Sequence, residues 1–236
     1  METIGYATLS RQSGLMREMR LVANNIANAA TTGYRQEGLV FSEFIRAAPG
    51  QPSLSMAGAR IRNTSMQQGA LARTGGAFDL AIEGDGFFMI ETAAGTRLTR
   101  AGSFSQNAQG DLVTMSGDRV LDAGGAPVFV PPGAAGLNIA ADGTISTEGR
   151  AIGQIGLFQP SDPADLVRED GVMFRTGATE PAPRARILQG FLEGSNVNAV
   201  DQLSRMVEIQ RAYELGQSFL ETEDQRMRDA VRTLMR

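Results

Sequence analysis

The sequence predicts an α+β protein: long N- and C-terminal helices paired as a coiled-coil-like inner domain, around a mainly β middle domain of short antiparallel strands and hairpins. Three observations point there. Apolar residues near each chain end recur at alternating three- and four-residue steps, the period of a helical seam. Between the ends, glycine becomes frequent and short apolar runs are punctuated by turn signals, as in hairpins. The 236 residues are 42% apolar and 20% charged, which suffices for a sizeable core.

The first element spans residues 3–32. Leu9, Met16, Ala23 and Ala30 fall seven apart, with Gln12, Met19 and Ile26 interleaved, so a seam with one polar member runs along it. Thirty helical residues would extend ~45 Å. Inside it, LVANNIANAATTGYR carries no charge from Leu21 to Thr32. By helical periodicity Asn24, Asn25 and Asn28 share one arc, while Val22, Ala23, Ile26, Ala27, Ala29 and Ala30 fill the opposite side. Asparagine costs roughly half a kcal/mol against alanine in a helix. Its amide donates and accepts without the desolvation penalty of a charge. Such a face suits a helix enclosed by other helices. The other reading is a surface helix whose asparagines lead to a glycine C-cap at Gly33.

Phe41, Phe44 and Ile45 then form a short amphipathic patch, and AAPGQPSLSMAG reads as loop, within a connector over 36–75. All-β character begins near Ile61 and lasts to Phe191, with the β-rich outer domain placed at 76–192. Its strand runs are FDLAIEGDGFFMI, RLTRAGSFSQNAQGDLVTM, RVLDAGGAPVFV, LNIAADGTISTEGR and IGQIGLFQ. Within AADGTIS, Asp142-Gly143 supplies the positive φ angles of a hairpin turn.

The tail from Ser195 to Arg236 is helical again; with the N-terminal helix of 1–35, the segment 193–236 makes the inner domain. Asn198 can cap it, with Asp201 favoured in the first turn. Met206, Ile209, Tyr213, Gly216, Leu220, Glu223, Met227, Ala230 and Leu234 alternate three and four apart. Asp201–Arg205, Glu208–Arg211, Glu223–Arg226 and Asp224–Arg228 sit at pairing distances, at about 0.2–0.5 kcal/mol each.

The chemistry is defined by absences. Without Cys or His, the chain lacks thiol nucleophiles, disulfides, imidazole bases and the usual zinc ligands, so neither metal nor cofactor is expected. A net charge of −4 speaks against general nucleic-acid binding. All 22 basic residues are arginine, which suits packed interfaces and carboxylate forks, and equally fits codon bias in a GC-rich genome. METIGYATLSRQ has no basic stretch ahead of an apolar block, so a cleavable secretory signal is not expected. EGDGFFMI lacks the ligand alternation of an EF-hand and reads as a tight turn feeding a strand. Asp79, Glu83 and Asp85 cluster in sequence and give slight support to a peptidoglycan-acting β-domain, but neighbouring strand positions scatter to both faces. No catalytic constellation emerges.

Three motifs resemble the axial proteins of the bacterial flagellum, specifically the basal-body rod subunits. LSRQSGLMREMRLVANNIANAATTGYRQEGLVF resembles the N-terminal signature, FDLAIEGDGFFMI with TRAGSFSQNAQGDLV the start of the family's β-domain, and GFLEGSNVNAVDQLSRMVEIQRAYEL the C-terminal signature. The Leu9-Ser10-Arg11-Gln12 opening and the modest length look most like the proximal-rod F subunit; the distal-rod G subunit is the alternative. Many relatives have Lys where Arg35 stands, and the charge is preserved.

The resemblance implies a structural, non-enzymatic subunit of the periplasm-crossing rod, exported unfolded through the flagellar type III apparatus. It implies other rod proteins and further copies of the chain, in a helical assembly, as partners. No small-molecule substrate and no nucleic acid are implied. The terminal helices would line the inner tube, with the β-domain outside. The assembly interface would comprise Leu9, Met16, Met19, Ala23, Asn24, Asn25, Ile26, Asn28, Thr31, Thr32 and Gly33, together with Met206, Ile209, Tyr213, Leu220, Met227 and Leu234. Asn24, Asn25 and Asn28 would be buried by neighbouring subunits, where a charge would cost several kcal/mol to desolvate.

Overall fold

In the computed structural model, which describes residues 2–46 and 54–234, the chain divides into two compact units. One is a helical unit of the N-terminal segment to Ala29, residues 36–65 and residues from Val197 onward; the other is a β-domain of residues 30–35 and 66–196.

The helical unit holds α1 (Glu2–Ala27), a hairpin of β1 (Glu37–Arg46) and β2 (Leu54–Thr64), and α2 (Ala199–Leu234). Helix α1 stops five residues short of the expected end. Asn28 is the cause: its side-chain amide bonds the Asn24 carbonyl at 2.8 Å, while its N–H is shared between Asn24 and Asn25 carbonyls. A side chain that competes for helix acceptors tightens and then ends the helix. Helix α2 starts as expected, because Asn198 Oδ1 accepts from Val200 N–H at 3.1 Å and from Asp201 N–H at 3.4 Å. Its 36 residues run ~54 Å.

The connector expected over 36–75 is largely a β-hairpin: β1 and β2 pair antiparallel from Glu37↔Thr64 to Arg46↔Leu54, with a bulge at Val40/Phe41. Of the stretch read as loop, residues 54–58 belong to β2 and residues 47–53 lie outside the described residues. Strand structure therefore begins well before Ile61, at Glu37.

The β-domain opens with β3 (Leu71–Arg73), β4 (Leu80–Glu83), β5 (Phe87–Thr92) and β6 (Gly95–Thr99). All five expected strand runs carry strands. Its largest sheet has nine strands, in which β6 lies between β5 and Met173–Arg175. Strands at 186–189 and 191–193 return to pair with β4 and β3. The core is apolar and closed: Leu80, Ile82, Phe88, Ile90, Leu112, Val120, Ile145 and Ile187 pack in one buried cluster. Edge-to-face contact of Phe88 with Phe104, centroids 5.1 Å apart, stiffens it. At 140–146 only one of the two expected positive φ angles occurs: Gly143 takes φ +86, while Asp142 accepts from Thr144 N–H at 3.0 Å and Oγ1 at 2.9 Å.

Candidate functional site

Two polar constellations and one apolar pattern stand out, and the segment LVANNIANAATTGYR (21–35) feeds the first two. In the helical unit, Asn25 is a three-way pin. Its amide nitrogen donates to the Glu37 carbonyl at 2.8 Å and to Gln202 Oε1 at 3.0 Å; its oxygen accepts from Glu37 N–H at 3.0 Å. The side chain thus reproduces both hydrogen bonds of a strand partner at the start of β1 while holding α2. Asn25 and Gln202 are buried. Beside them, the half-exposed Arg205 forks onto Glu18 at 2.6 Å and Glu208 at 3.0 Å, in place of the expected Asp201 pair. These hydrogen bonds hold the Arg205 guanidinium above its ordinary range. Glu223–Arg226 and Asp224–Arg228 pair as the spacing indicated, at 2.8 and 2.7 Å.

Asn25 is therefore buried by its own chain, which corrects the expectation that all three asparagines need neighbouring subunits for burial. Asn24 is exposed and Asn28 half-buried. The amide property that made Asn25 conspicuous is used, but inside the unit.

The β-domain holds the second constellation. Arg35 and Glu193, each 1% exposed, pair at 2.9 Å. Arg35 also donates to the Met66 carbonyl, and Gly69 N–H donates to Glu193 Oε1 at 3.0 Å. Buried Arg100 donates to the Ile82 and Gly84 carbonyls and stands 3.5 Å from the second Glu193 oxygen, an ion pair without a formed hydrogen bond. Burial lowers the Arg35 pKa, and Glu193 opposes the shift. For Arg100 burial wins by more: its pKa falls to about 10, against opposition from Glu193. The folded protein thus releases this proton before the unfolded chain does. The cost of burying the charge is present in full below pH ~10 and eases as pH rises toward the unfolded value. Arg168 lies against both Tyr34 (4.5 Å) and Phe174 (4.7 Å) and donates to the Arg35 carbonyl. A guanidinium serves such planar, multiply bonded sites better than an ammonium, which gives Arg35 a role beyond its charge. Gly33 is fixed twice: its φ is +70, and a Cβ there would stand 2.4 Å from Ala101 N. Arg35–Glu193 and Arg100 were missed in the sequence because the three residues stand far apart along it.

The apolar pattern lies on the helices. One heptad position of the expected α1 seam points outward along its length, with Leu9 at 54% and Met16 at 38% exposure and Ala23 and Ala30 exposed, while Gln12 is half-buried. Met19 and Ile26 are half-buried, whereas burial concentrates on Gly14, Glu18, Leu21, Val22 and Asn25. On α2 the expected seam faces inward: Ile209 is buried, and Met206, Tyr213, Gly216 and Leu220 are half-buried. Met227 is exposed, and the Leu234 side chain lies outside the described residues. A second α2 stripe, Val200, Leu203 and Val207, is exposed at 70%, 54% and 45%. Thr31 and Thr32 are half-buried in the β-domain segment that ends with Arg35.

Among the described residues, no group of three His, Cys, Asp or Glu side chains could hold a metal ion, and no helix is long and apolar enough to cross a membrane. Asp79, Glu83 and Asp85 do not converge: Asp79 accepts from Thr74 Oγ1 at 2.6 Å, and the other two are exposed.

Residues 81–147 match the flagellar hook protein FlgE/F/G D1 domain, and residues 188–233 match the flagellar basal body rod FlgEFG protein C-terminal region. The chain is 37% identical to the flagellar basal-body rod protein FlgF of Caulobacter vibrioides over 99% of its length and 98% of the relative's. It is likewise 37% identical to FlgF of Mesorhizobium japonicum, over 97% and 96%. Against the flagellar basal-body rod protein FlgG of Bacillus subtilis identity is 30%, over 96% and 97%. A likeness of this extent, spanning both helices and the β-domain, settles the family: the chain belongs to the flagellar basal-body rod proteins and is a FlgF-like structural subunit of the rod.

Proposed function

We propose that this subunit has a mechanical rather than an enzymatic role in the proximal rod, and that it polymerises through its terminal helices. The observation that carries this is the outward apolar stripe on each helix: Leu9, Met16 and Ala23 on α1, and Val200, Leu203 and Val207 on α2. Heptad and i, i+3, i+7 spacings are those by which one helix presents a continuous edge to another. Added helices from sibling subunits would extend the α1–α2 packing into a coiled-coil-like core, shielding Asn24 and Asn28 as well. Met19, Ile26, Met206, Tyr213 and Leu220 are half-buried and Met227 exposed, so each keeps surface for such contacts. A heterologous, head-to-tail contact of this kind builds an open helical polymer rather than a closed dimer. The partners on this reading are other rod proteins and further copies, with delivery by the flagellar type III export apparatus. The β-domain would form the outer layer.

The test is to place a charge on each stripe. Leu203→Glu and Met16→Glu should leave far-UV dichroism and the thermal midpoint of the purified chain unchanged while abolishing motility and rod assembly. Motile cells carrying both changes would overturn the reading.

A further inference from the structure

The chain does not join its two units by a single linker. It passes between them four times, at residues 29/30, 35/36, 65/66 and 196/197. Units on one linker swivel by default. With four passages, the question is whether each can be drawn out of the β-domain separately. Their β-domain ends are stitched together. Gly33 N–H donates to the Glu193 carbonyl at 2.8 Å, and Asn196 N–H to the Tyr34 carbonyl at 3.3 Å, tying residues 30–35 to the last passage. The Asn196 amide donates to the Gln67 carbonyl at 2.8 Å and Gly194 N–H to the Ala70 carbonyl at 2.8 Å, tying the last passage to the third. The Arg35–Glu193 pair spans all of them. Arg35 donates to the Met66 carbonyl at 3.3 Å, and the Glu193 oxygen that meets Arg35 also accepts from Gly69 N–H. Arg168, from the strand at 167–170, donates to the Arg35 carbonyl and lies on Tyr34, which fastens the same segment to the largest sheet.

We propose that this set is a mechanical clasp: Arg35, Glu193 and Asn196 are positioning residues that make the four passages yield together when force runs between the helices and the β-domain. The proposal rests on the mechanical role given above, which supplies the force. Its own support is connectivity. The bonds among residues 30–35, 66–70 and 193–196 each join two different segments, and the Glu193 carboxylate is shared by two of them. Hydrogen bonds that share a group and act in parallel fail as a unit, whereas the strands of a loose joint give way in turn. A buried ion pair is a weak source of net stability, because desolvation offsets its attraction. As a joint it resists opening, since parting the two charges leaves each enclosed and unpaired. The buried apolar cluster of the β-domain contains no residue of the three segments, so its packing does not anchor the passages directly.

Pulling on the full chain tests this. The sequence has no cysteine, so Ser204→Cys on α2 and Arg150→Cys on the β-domain, both exposed, give two clean attachment points for optical tweezers. Force between them enters the β-domain through the passage at 196/197 and meets the clasp. A control chain carrying Ala123→Cys and Arg150→Cys is pulled within the β-domain and bypasses it. Asn196→Ala forfeits the amide's hydrogen bond to Gln67. Its lifetime under constant force should fall about fivefold in the first geometry and stay within about twofold in the control. Glu193→Gln should shorten the first lifetime about a hundredfold or more, and N196A carries the test if that chain does not fold. An N196A lifetime unchanged in the first geometry, or shortened equally in both, overturns the proposal, because the bonds would then be ordinary contributors to stability. The measurement needs no rod, so it fails or succeeds independently of the helix-stripe variants, and loss of the clasp and loss of the polymerisation reading are told apart.

Discussion

The β-domain and the helical unit bury different things. In the β-domain the deepest side chains are mostly aliphatic and aromatic, Leu80, Ile82, Phe88, Ile90, Leu112 and Ile145 among them, closed into one cluster. In the helical unit, among residues whose side chains are described, Leu21, Val22 and Ile209 are accompanied by Glu18, Asn25, Glu37 and Gln202. The first arrangement gains stability by removing apolar area from water. The second spends polar groups to fix geometry and leaves Leu9, Leu203 and Val207 outside. A region built this way has a defined shape and an unfinished surface, which is what the polymerising role proposed for it requires.

Three substitutions probe that contrast, in falling order of effect. Glu193→Gln withdraws the shared carboxylate from two buried guanidiniums. Removing one partner of a buried ion pair costs about 3–5 kcal/mol, and the loss should show as a lower urea midpoint of the β-domain transition. If E193Q unfolds at the wild-type midpoint, the charges contribute less than the apolar cluster alone. Asn25→Ala strands both backbone groups of Glu37 and the amide of Gln202, for about 1–3 kcal/mol, read as faster hydrogen exchange at Glu37 and in the first turns of α2. Unchanged exchange would mean the hairpin is held by packing instead. Val207→Ser on the outward stripe should move stability by no more than about 0.5 kcal/mol in the isolated chain. A larger drop would show that the stripe is already covered in the free subunit.

Much of this was legible in the chain, for identifiable reasons. The terminal helices and the five strand runs follow from periodicities that any half-buried element must carry. Asn198 announces itself because capping demands particular residue types, whereas Gly33 takes its positive φ six residues past the end of α1 and is not the C-cap its position suggested. The hairpin of β1 and β2 did not, since LVFSEFIR suits a strand and an amphipathic helix alike, and the proline-glycine stretch beyond it drew attention as loop. The Asn25 pin was half legible: the uncharged amide arc marked an enclosed site, while its partner, a strand end and Gln202, depends on a fold that spacing does not reveal. The Arg35–Glu193–Arg100 set was invisible for the same reason, as three charged residues scattered along a sequence look solvated until strands bring them together.

The Asn25 pin also bears on how a rod subunit behaves under shear. Sliding α1 along its neighbours by one turn, ~5.4 Å, would break three hydrogen bonds together and leave their donors and acceptors enclosed with nothing to meet. Greasy contacts alone permit creep, because one methyl replaces another at little cost. A single amide set at the junction of two helices and a ribbon acts as a detent, and since it carries no ionisable group, acid does not release it.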